Sequence, residues 1–98
     1  MISLILPTYH PNRLERARDV YNMLKKDSGV EVEVITVCDN PELHEKVKGD
    51  IVVKLPKRIG FTRAVNIGET FAQYENCWWI DDYVMPRPGW GPKALKGF

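Results

Sequence analysis

An apolar run that ends in two carboxylates, WWIDDYVMP at residues 78–86, decides the fold of this chain. The apolar residues are typical of a buried strand, and Asp81 and Asp82 follow where that strand would end. In open α/β folds, ligands bind outside the carboxyl ends of the strands. Two carboxylates at that edge can hold a divalent cation, which in turn can hold a phosphate. The segment therefore predicts an α/β sheet with a ligand site along one edge.

Outward from this segment, short apolar runs alternate with stretches of helical periodicity. Strands are predicted at 2–6, 30–38, 51–53 and 76–80. Apolar residues recur at helical spacing from Leu14 to Leu24 and from Phe61 to Ala72, and residues 41–48 are expected to form a short helix. Strands that alternate with helices indicate a parallel sheet with right-handed crossovers. The predicted fold is a three-layer α/β sandwich with a mainly parallel four-stranded sheet in the order 3-2-1-4.

Size and composition exclude several functional classes. The 98 residues are enough for one domain, and 44% apolar and 28% charged residues are ordinary for a soluble globular protein. A net charge of +1 gives no electrostatic basis for binding nucleic acid or a membrane surface. No apolar run reaches the ~20 residues of a membrane span, and no signal segment is recognised, so a cytoplasmic protein is expected. Cys38 and Cys77 are expected to be reduced, about 9–10 Å apart on the strands that flank the first.

Three loops at the carboxyl ends of strands one, two and four are predicted to meet at one edge of the sheet. They carry PTYH at 7–10, Asp39-Asn40 and Asp81-Asp82. The strand order reverses between strands one and four, which is where a crevice opens. This set suits a ligand made of a base, a ribose and a diphosphate. Tyr9 could stack on the base, Asp39 could accept a hydrogen bond from base or ribose, and the acidic pair could hold ribose and metal.

Purely structural roles are open for the same residues. Asp81-Asp82 also fits a solvated turn after a strand, and Asp39-Asn40 followed by proline is a common turn. Asn66 and Gly68 also fit close helix packing. Arg63, one turn into the second long helix, is either a solvated charge or a phosphate contact.

Three segments together resemble the family 2 glycosyltransferases, which have the GT-A fold. They are ISLILPTY at 2–9, GFTRAVNIG at 60–68, which is similar to that family's G-F-x-x-x-x-N-x-G segment, and IDDYVMPRPGW at 80–90, which is similar to its acidic motif and following loop. The segments stand in the family's order and span nearly the whole chain. The resemblance implies a truncated GT-A, Rossmann-like domain at residues 1–98, namely the N-terminal nucleotide-sugar binding half.

The resemblance also implies a ligand and the residues that hold it. The donor would be a UDP- or GDP-type sugar, and the acidic motif would bind ribose and a Mn²⁺ or Mg²⁺ that neutralises the diphosphate. With Arg63 added as a phosphate contact, the expected nucleotide-binding residues are Pro7, Thr8, Tyr9, Asp39, Arg63, Asn66 and Asp81. The expected metal ligands are Asp82 and Asp81.

Two departures from the family pattern affect the expected activity. The third acidic position of the motif holds Tyr83, a poor ligand for hard cations, so metal binding would fall on Asp82 with Asp81 assisting. The family also needs a further segment for the acceptor site and the catalytic base, and residues 91–98 contain no carboxylate or histidine. The catalytic residues are therefore unknown, and whether the chain is an enzyme is open at this stage.

Two other functions compete with glycosyl transfer. One is a non-catalytic remnant or assembly module that retains the nucleotide-binding half of the fold. The other is an unrelated flavodoxin-like domain, which no G-x-G-x-x-G or other glycine-rich phosphate loop supports. Apolar surface left uncovered on a truncated sheet predicts a homodimer.

Overall fold

A four-stranded parallel sheet forms the centre of the computed structural model, which describes residues 1–26 and 29–81. Its strands are β1 (Ile2–Thr8), β2 (Val32–Cys38), β3 (Ile51–Lys54) and β4 (Asn76–Trp79). They lie in the order β3-β2-β1-β4, and each neighbouring pair is parallel. The strand order and direction predicted from the sequence are confirmed.

Two helices cover opposite faces of the sheet. Helix α1 (Leu14–Lys26) follows β1, and helix α2 (Phe61–Glu69) precedes β4. Because successive strand residues point to opposite faces, β1 buries Leu4 and Leu6 towards α1 and Ile5 towards α2. The two apolar layers are completed by Val20, Leu24, Val32 and Val34 on the α1 side, and by Ile35, Val37, Val53, Ala64 and Val65 on the α2 side. The architecture is therefore the predicted three-layer sandwich.

Helix α2 lies unusually close to the sheet at Gly68. A Cβ atom at this position would stand 2.6 Å from Cγ2 of Ile5 and 3.1 Å from Cγ2 of Val37. Any side chain would push the helix away from β1 and β2, since interiors are already close-packed. The structure thus gives Gly68 a packing role.

The connection between β2 and β3 differs from the prediction. The sequence indicated a short helix over residues 41–48, but the structure has a three-residue 3-10 turn, Pro41–Leu43. Leu43 is its one buried residue, and the amide of Glu42 donates to Oδ1 of Asn40 over 3.1 Å. The segment lacks the repeating apolar face that stabilises most helices in proteins, so only one turn forms. Within the described ranges, no helix is long and apolar enough to cross a membrane.

The two cysteines are free, as expected, but lie farther apart than predicted. Cys38 is paired in register with Thr8, near the carboxyl end of β1, whereas Cys77 is paired with Ser3 near its amino end. The predicted distance included the spacing between strands across the sheet but not the displacement of the two cysteines along the strands. Burial raises the pKa of both thiols, which keeps them protonated.

Candidate functional site

A cleft of about 110 Å³ opens at the carboxyl ends of β1, β2 and β4. It is formed by the loops that follow these strands, the loop before α2, and the first turn of that helix. Its lining residues are Pro7, Thr8, Tyr9, His10, Arg13, Asp39, Arg58, Gly60, Phe61, Ala64 and Asp81. The three predicted crevice loops therefore contribute to one cleft, because the central position of β1 sets its end between those of β2 and β4.

Asp39 joins the end of β2 to the start of α2. Its side chain is buried, with 4% of the residue exposed, and its Oδ2 atom accepts hydrogen bonds from the amides of Ile59 at 3.0 Å and Gly60 at 3.2 Å. Gly60 precedes α2 with a φ of 90°, a conformation that side-chain-bearing residues rarely adopt. The carboxylate thus fixes a loop whose amides would otherwise lack regular partners. Asp39 has a positioning role that the sequence did not indicate.

Tyr9 is held from its backbone and flanked on its ring. Nδ2 of Asn40 donates to the Tyr9 carbonyl oxygen over 2.9 Å, which ties the loops after β1 and β2 together. The Arg58 guanidinium carbon lies 4.1 Å from the centre of the Tyr9 ring, a cation–π contact. The His10 ring packs edge-on at a centroid distance of 5.3 Å. An aromatic platform with one cationic neighbour therefore lines the cleft.

Thr8 brings an unpaired hydroxyl to the same cleft. The residue is 1% exposed, and its Oγ1 atom has no hydrogen-bond partner in the structure as described. A buried hydroxyl without a partner costs roughly 1–3 kcal/mol, so natural proteins rarely retain one without a reason. A bound ligand that offers a donor or an acceptor would remove that cost.

The acidic motif is described only in part. Asp81 lines the cleft, while Asp82 and Tyr83 lie outside the described residues. Among residues 1–26 and 29–81, no group of three or more histidine, cysteine or acidic side chains could hold a metal ion. The cleft does contain two carboxylates, Asp39 and Asp81. One or two carboxylates, completed by water and phosphate oxygens, are a usual ligand set for Mg²⁺.

Two expected nucleotide contacts are not among the cleft-lining residues. Arg63 and Asn66 are exposed on α2, whose buried face consists of Ala64, Val65 and Gly68. The phase of the helix decides this, because residues one or two positions from the buried face turn towards solvent.

Arg58, Phe61 and Arg13 line the cleft without having been singled out from the sequence. Arg58 had a usable signal, since it stands two residues before the glycine of the GFTRAVNIG segment and on the same loop. Phe61 forms an edge-to-face pair with Trp79 at a centroid distance of 4.9 Å, which links the cleft to β4.

Comparison with known proteins identifies the fold but no sequence family. No protein-family model matches the chain, and no curated protein matches it in sequence. Two crystal structures of TarS from S. aureus are similar, both at 21% identity. For the first the TM-score is 0.74, and the match covers 97% of this chain and 19% of that one. For the second, TarS 1-349, the TM-score is 0.72 with coverages of 98% and 31%. The chain thus spans about a fifth of the first structure and just under a third of the second, and shares its fold with that part of them.

Proposed function

We propose that the cleft binds the nucleotide part of a sugar nucleotide and that the domain serves glycosyl transfer. The observation that carries this proposal is the combination of an unpaired buried hydroxyl, an aromatic platform and two carboxylates in one cleft, from Thr8, Tyr9, Asp39 and Asp81. Each group has a natural counterpart in a nucleotide. A base stacks on an aromatic ring, and ribose hydroxyls donate to carboxylates.

The size of the cleft limits which part of the ligand it holds. Its volume of about 110 Å³ is well below the ~300–1,000 Å³ of pockets that enclose a whole drug-sized ligand. A base and part of a ribose fit this space, whereas the diphosphate and sugar would extend beyond the described residues. In this proposal Asp81 and Asp82 hold a Mn²⁺ or Mg²⁺ that neutralises the diphosphate, and Pro7 shapes the wall next to Thr8.

The shared fold supports the proposal at the level of architecture. TarS is a glycosyltransferase, and its structures contain this three-layer sheet within longer chains. Ligands of open α/β sheets bind at the carboxyl edge of the strands, which is where the present cleft lies. The UDP- or GDP-type donor and the transfer reaction are part of the proposal and rest on the resemblance of the motifs.

Thermal unfolding with nucleoside diphosphates tests the proposal. UDP, GDP, CDP, ADP and dTDP are each added with and without Mn²⁺, and the matching nucleosides serve as controls. A ligand at 100 times its Kd adds about 2.7 kcal/mol to the free energy of unfolding, which in a domain of this size raises Tm by roughly 10 °C or more. We expect one base to give such a shift.

Variants of the acidic motif separate the metal from the nucleotide. Asp82→Ala should abolish the Mn²⁺-dependent part of the shift while a shift with the nucleoside persists, since the ribose and base contacts are made elsewhere. Equal shifts in wild type and Asp82→Ala would contradict the metal assignment. No shift with any nucleotide would contradict the proposed function and favour the alternative of an assembly module.

A further inference from the structure

We propose that Arg58 is a ligand-binding residue of the cleft, and that its guanidinium group stacks on the nucleobase and holds it against the Tyr9 ring. The inference rests on the proposed nucleotide-binding function and adds a residue that neither the sequence motifs nor the fold assigns. Arg58 and Tyr9 line the same cleft, and the guanidinium carbon lies 4.1 Å from the ring centre.

The Arg58–Tyr9 contact occupies the place that a stacked base would take. A flat ring needs about 3.5 Å on each side, so a base between the two groups would separate them by ~7 Å. Arg58 would therefore withdraw by roughly 3 Å from its present position. His10 contacts the same ring edge-on, at a centroid distance of 5.3 Å, and fixes its orientation. In this arrangement Arg58 covers the ring face on which a base would stack.

The side chain can make this movement while its backbone stays in place. Arg58 is exposed, and its side chain is long enough to shift by a rotamer change alone. The next two residues are fixed, because the amides of Ile59 and Gly60 donate to Oδ2 of buried Asp39 at 3.0 and 3.2 Å. The Arg58 side chain can thus change its rotamer while the backbone next to it stays in place. Asp39 fixes the position of that backbone.

The surroundings favour a base over a phosphate as the partner of Arg58. Two carboxylates, Asp39 and Asp81, line the same cleft together with a second arginine, Arg13, so the lining has no excess of positive charge that would select a phosphate. A guanidinium group is planar and weakly hydrated, and it stacks on aromatic rings as lysine does not. A flat, neutral ring between Tyr9 and Arg58 gains contact on both faces. The chemical class that fits is a nucleobase.

Two substitutions distinguish stacking from charge. Arg58→Lys keeps the positive charge but loses the planar group, and Arg58→Gln loses the charge. Binding of uridine, UDP, guanosine and GDP is measured by calorimetry for wild type and each variant. Lys57→Ala is the matched control, since Lys57 is the exposed neighbour on the same loop and does not line the cleft.

If Arg58 stacks on the base, both variants weaken the nucleoside and the diphosphate alike, by about 3- to 30-fold, and Lys57→Ala binds as wild type does. If the loss is confined to the diphosphates and Arg58→Lys restores affinity, Arg58 is a phosphate contact and the inference is wrong. If all variants bind as wild type does, Arg58 has no role, although the proposed function stands. If wild type binds none of the four compounds, the proposed function itself fails, and the inference fails with it.

Discussion

The Thr8 hydroxyl is buried without a partner although the rest of its strand is well packed. A second threonine in the sheet, Thr36, is equally buried, but its Oγ1 donates to the Lys48 carbonyl oxygen over 2.5 Å. The two residues share environment and side chain and differ in whether the hydroxyl is paired. Substitutions at the two positions can therefore be compared to measure the cost of a buried hydroxyl group that has no hydrogen-bond partner.

We expect Thr8→Val to raise the free energy of unfolding by about 1–2 kcal/mol, because it removes an unpaired buried hydroxyl and keeps the shape of the side chain. The same substitution at Thr36 should lower it by about 1–3 kcal/mol, because the Lys48 carbonyl loses its donor. Chemical denaturation measures both values.

Thr8→Val should also weaken nucleotide binding about fivefold, which corresponds to ~1 kcal/mol for one hydrogen bond. A stabilised variant with unchanged affinity would mean that the hydroxyl does not contact the ligand.

Two carboxylates of the cleft should respond differently to removal. Asp39→Ala deletes the acceptor of two amides and should lower the free energy of unfolding by about 1.5–3 kcal/mol in addition to reducing nucleotide affinity. Asp81→Ala should change stability by less than ~0.5 kcal/mol and still reduce affinity, since we propose that its role is in the ligand site. Thermal unfolding with and without nucleotide separates the two effects. Equal stability of both variants would contradict the positioning role of Asp39.

At this scale, whether a residue lies at the cleft could be predicted better for residues that follow strands than for residues on a helix or in a long loop. Tyr9, Asp39 and Asp81 lie within two residues of a strand end, so the topology alone brings them to one edge. Arg63 lies on α2, and whether it faces the cleft depends on the rotation of the helix. Arg58 lies in an irregular loop whose path is set by the Ile59 and Gly60 amides, which donate to the distant Asp39 carboxylate, and no local pattern encodes that.

A cluster of polar side chains ties α1 to the sheet at the level of elements. Asp50, just before β3, accepts hydrogen bonds from the Tyr21 hydroxyl at 2.8 Å, from Nζ of Lys25 at 2.7 Å and from the Val34 amide at 2.8 Å. Burial alone would raise the pKa of Asp50, but the bonds from Lys25, Val34 and Tyr21 outweigh it and lower the pKa. Burial and the hydrogen bond to Asp50 raise the pKa of Tyr21 to about 12.

These shifts predict a loss of stability at both ends of the pH range. The lowered pKa of Asp50 means that its contribution is complete above the unfolded value of ~3.9 and is lost as the pH falls through the folded value. The raised pKa of Tyr21 means that its contribution is complete below ~10 and is lost as the pH rises through about 12. The free energy of unfolding, measured by urea denaturation from pH 3 to 12, checks both limbs.

Two variants test which residue causes the loss of stability at each end of the pH range. Asp50→Asn should flatten the acid limb and cost about 1–3 kcal/mol at neutral pH, because hydrogen bonds to a charged group are lost. Tyr21→Phe should flatten the alkaline limb, and it should change the acid limb less than Asp50→Asn does, because Asp50 keeps its bonds from Lys25 and Val34. An acid limb that is the same in wild type and Asp50→Asn would show that other carboxylates govern acid unfolding.

The elements that the sequence predicted best are those with strong periodicity. The strands and both long helices follow from runs such as Ile2–Thr8 and from the apolar spacing in α1. The predicted helix over 41–48 was wrong because proline and polar residues are compatible with a helix start but provide no face to bury. A helix of that length needs packing, and Leu43 alone does not supply it.

At the scale of the whole molecule, apolar surface gathers at the β4 end of the sheet. Trp79 is 52% and Phe61 44% exposed, and the two rings pack against each other. β4 is the last strand on this side among the described residues, so its outer edge has no strand partner there. Such an edge favours pairing with another chain.

The homodimer inferred from the sequence stays a prediction, and this surface gives it a location. We expect light scattering to show a dimer mass at high protein concentration, and Trp79→Ser to shift the chain towards the monomer. Phe71→Ser is the control, because Phe71 is also an exposed aromatic residue, at 44%, but lies beyond the end of α2, outside the ring pair. A monomer mass for wild type across the concentration range would contradict the prediction.

The whole-molecule topology was predictable because alternating strands and helices permit few arrangements. Right-handed crossovers and burial of the most apolar strand leave β1 in the centre. The ligand could not be predicted with the same precision. The fold determines only that a ligand binds at the carboxyl edge of the sheet, whereas the identity of the ligand depends on the side chains of the loops there.

The central position of β1 also determines the order in which the chain can fold. β1 is made first, pairs with β2 early, and acquires its other neighbour only when Asn76–Trp79 has been synthesised. Until then the edge of Ile2–Ile5 is unpaired, and its apolar residues are open to association with other nascent chains. Contacts between such distant segments also make folding slow. Chains truncated before residue 76 should therefore aggregate during translation.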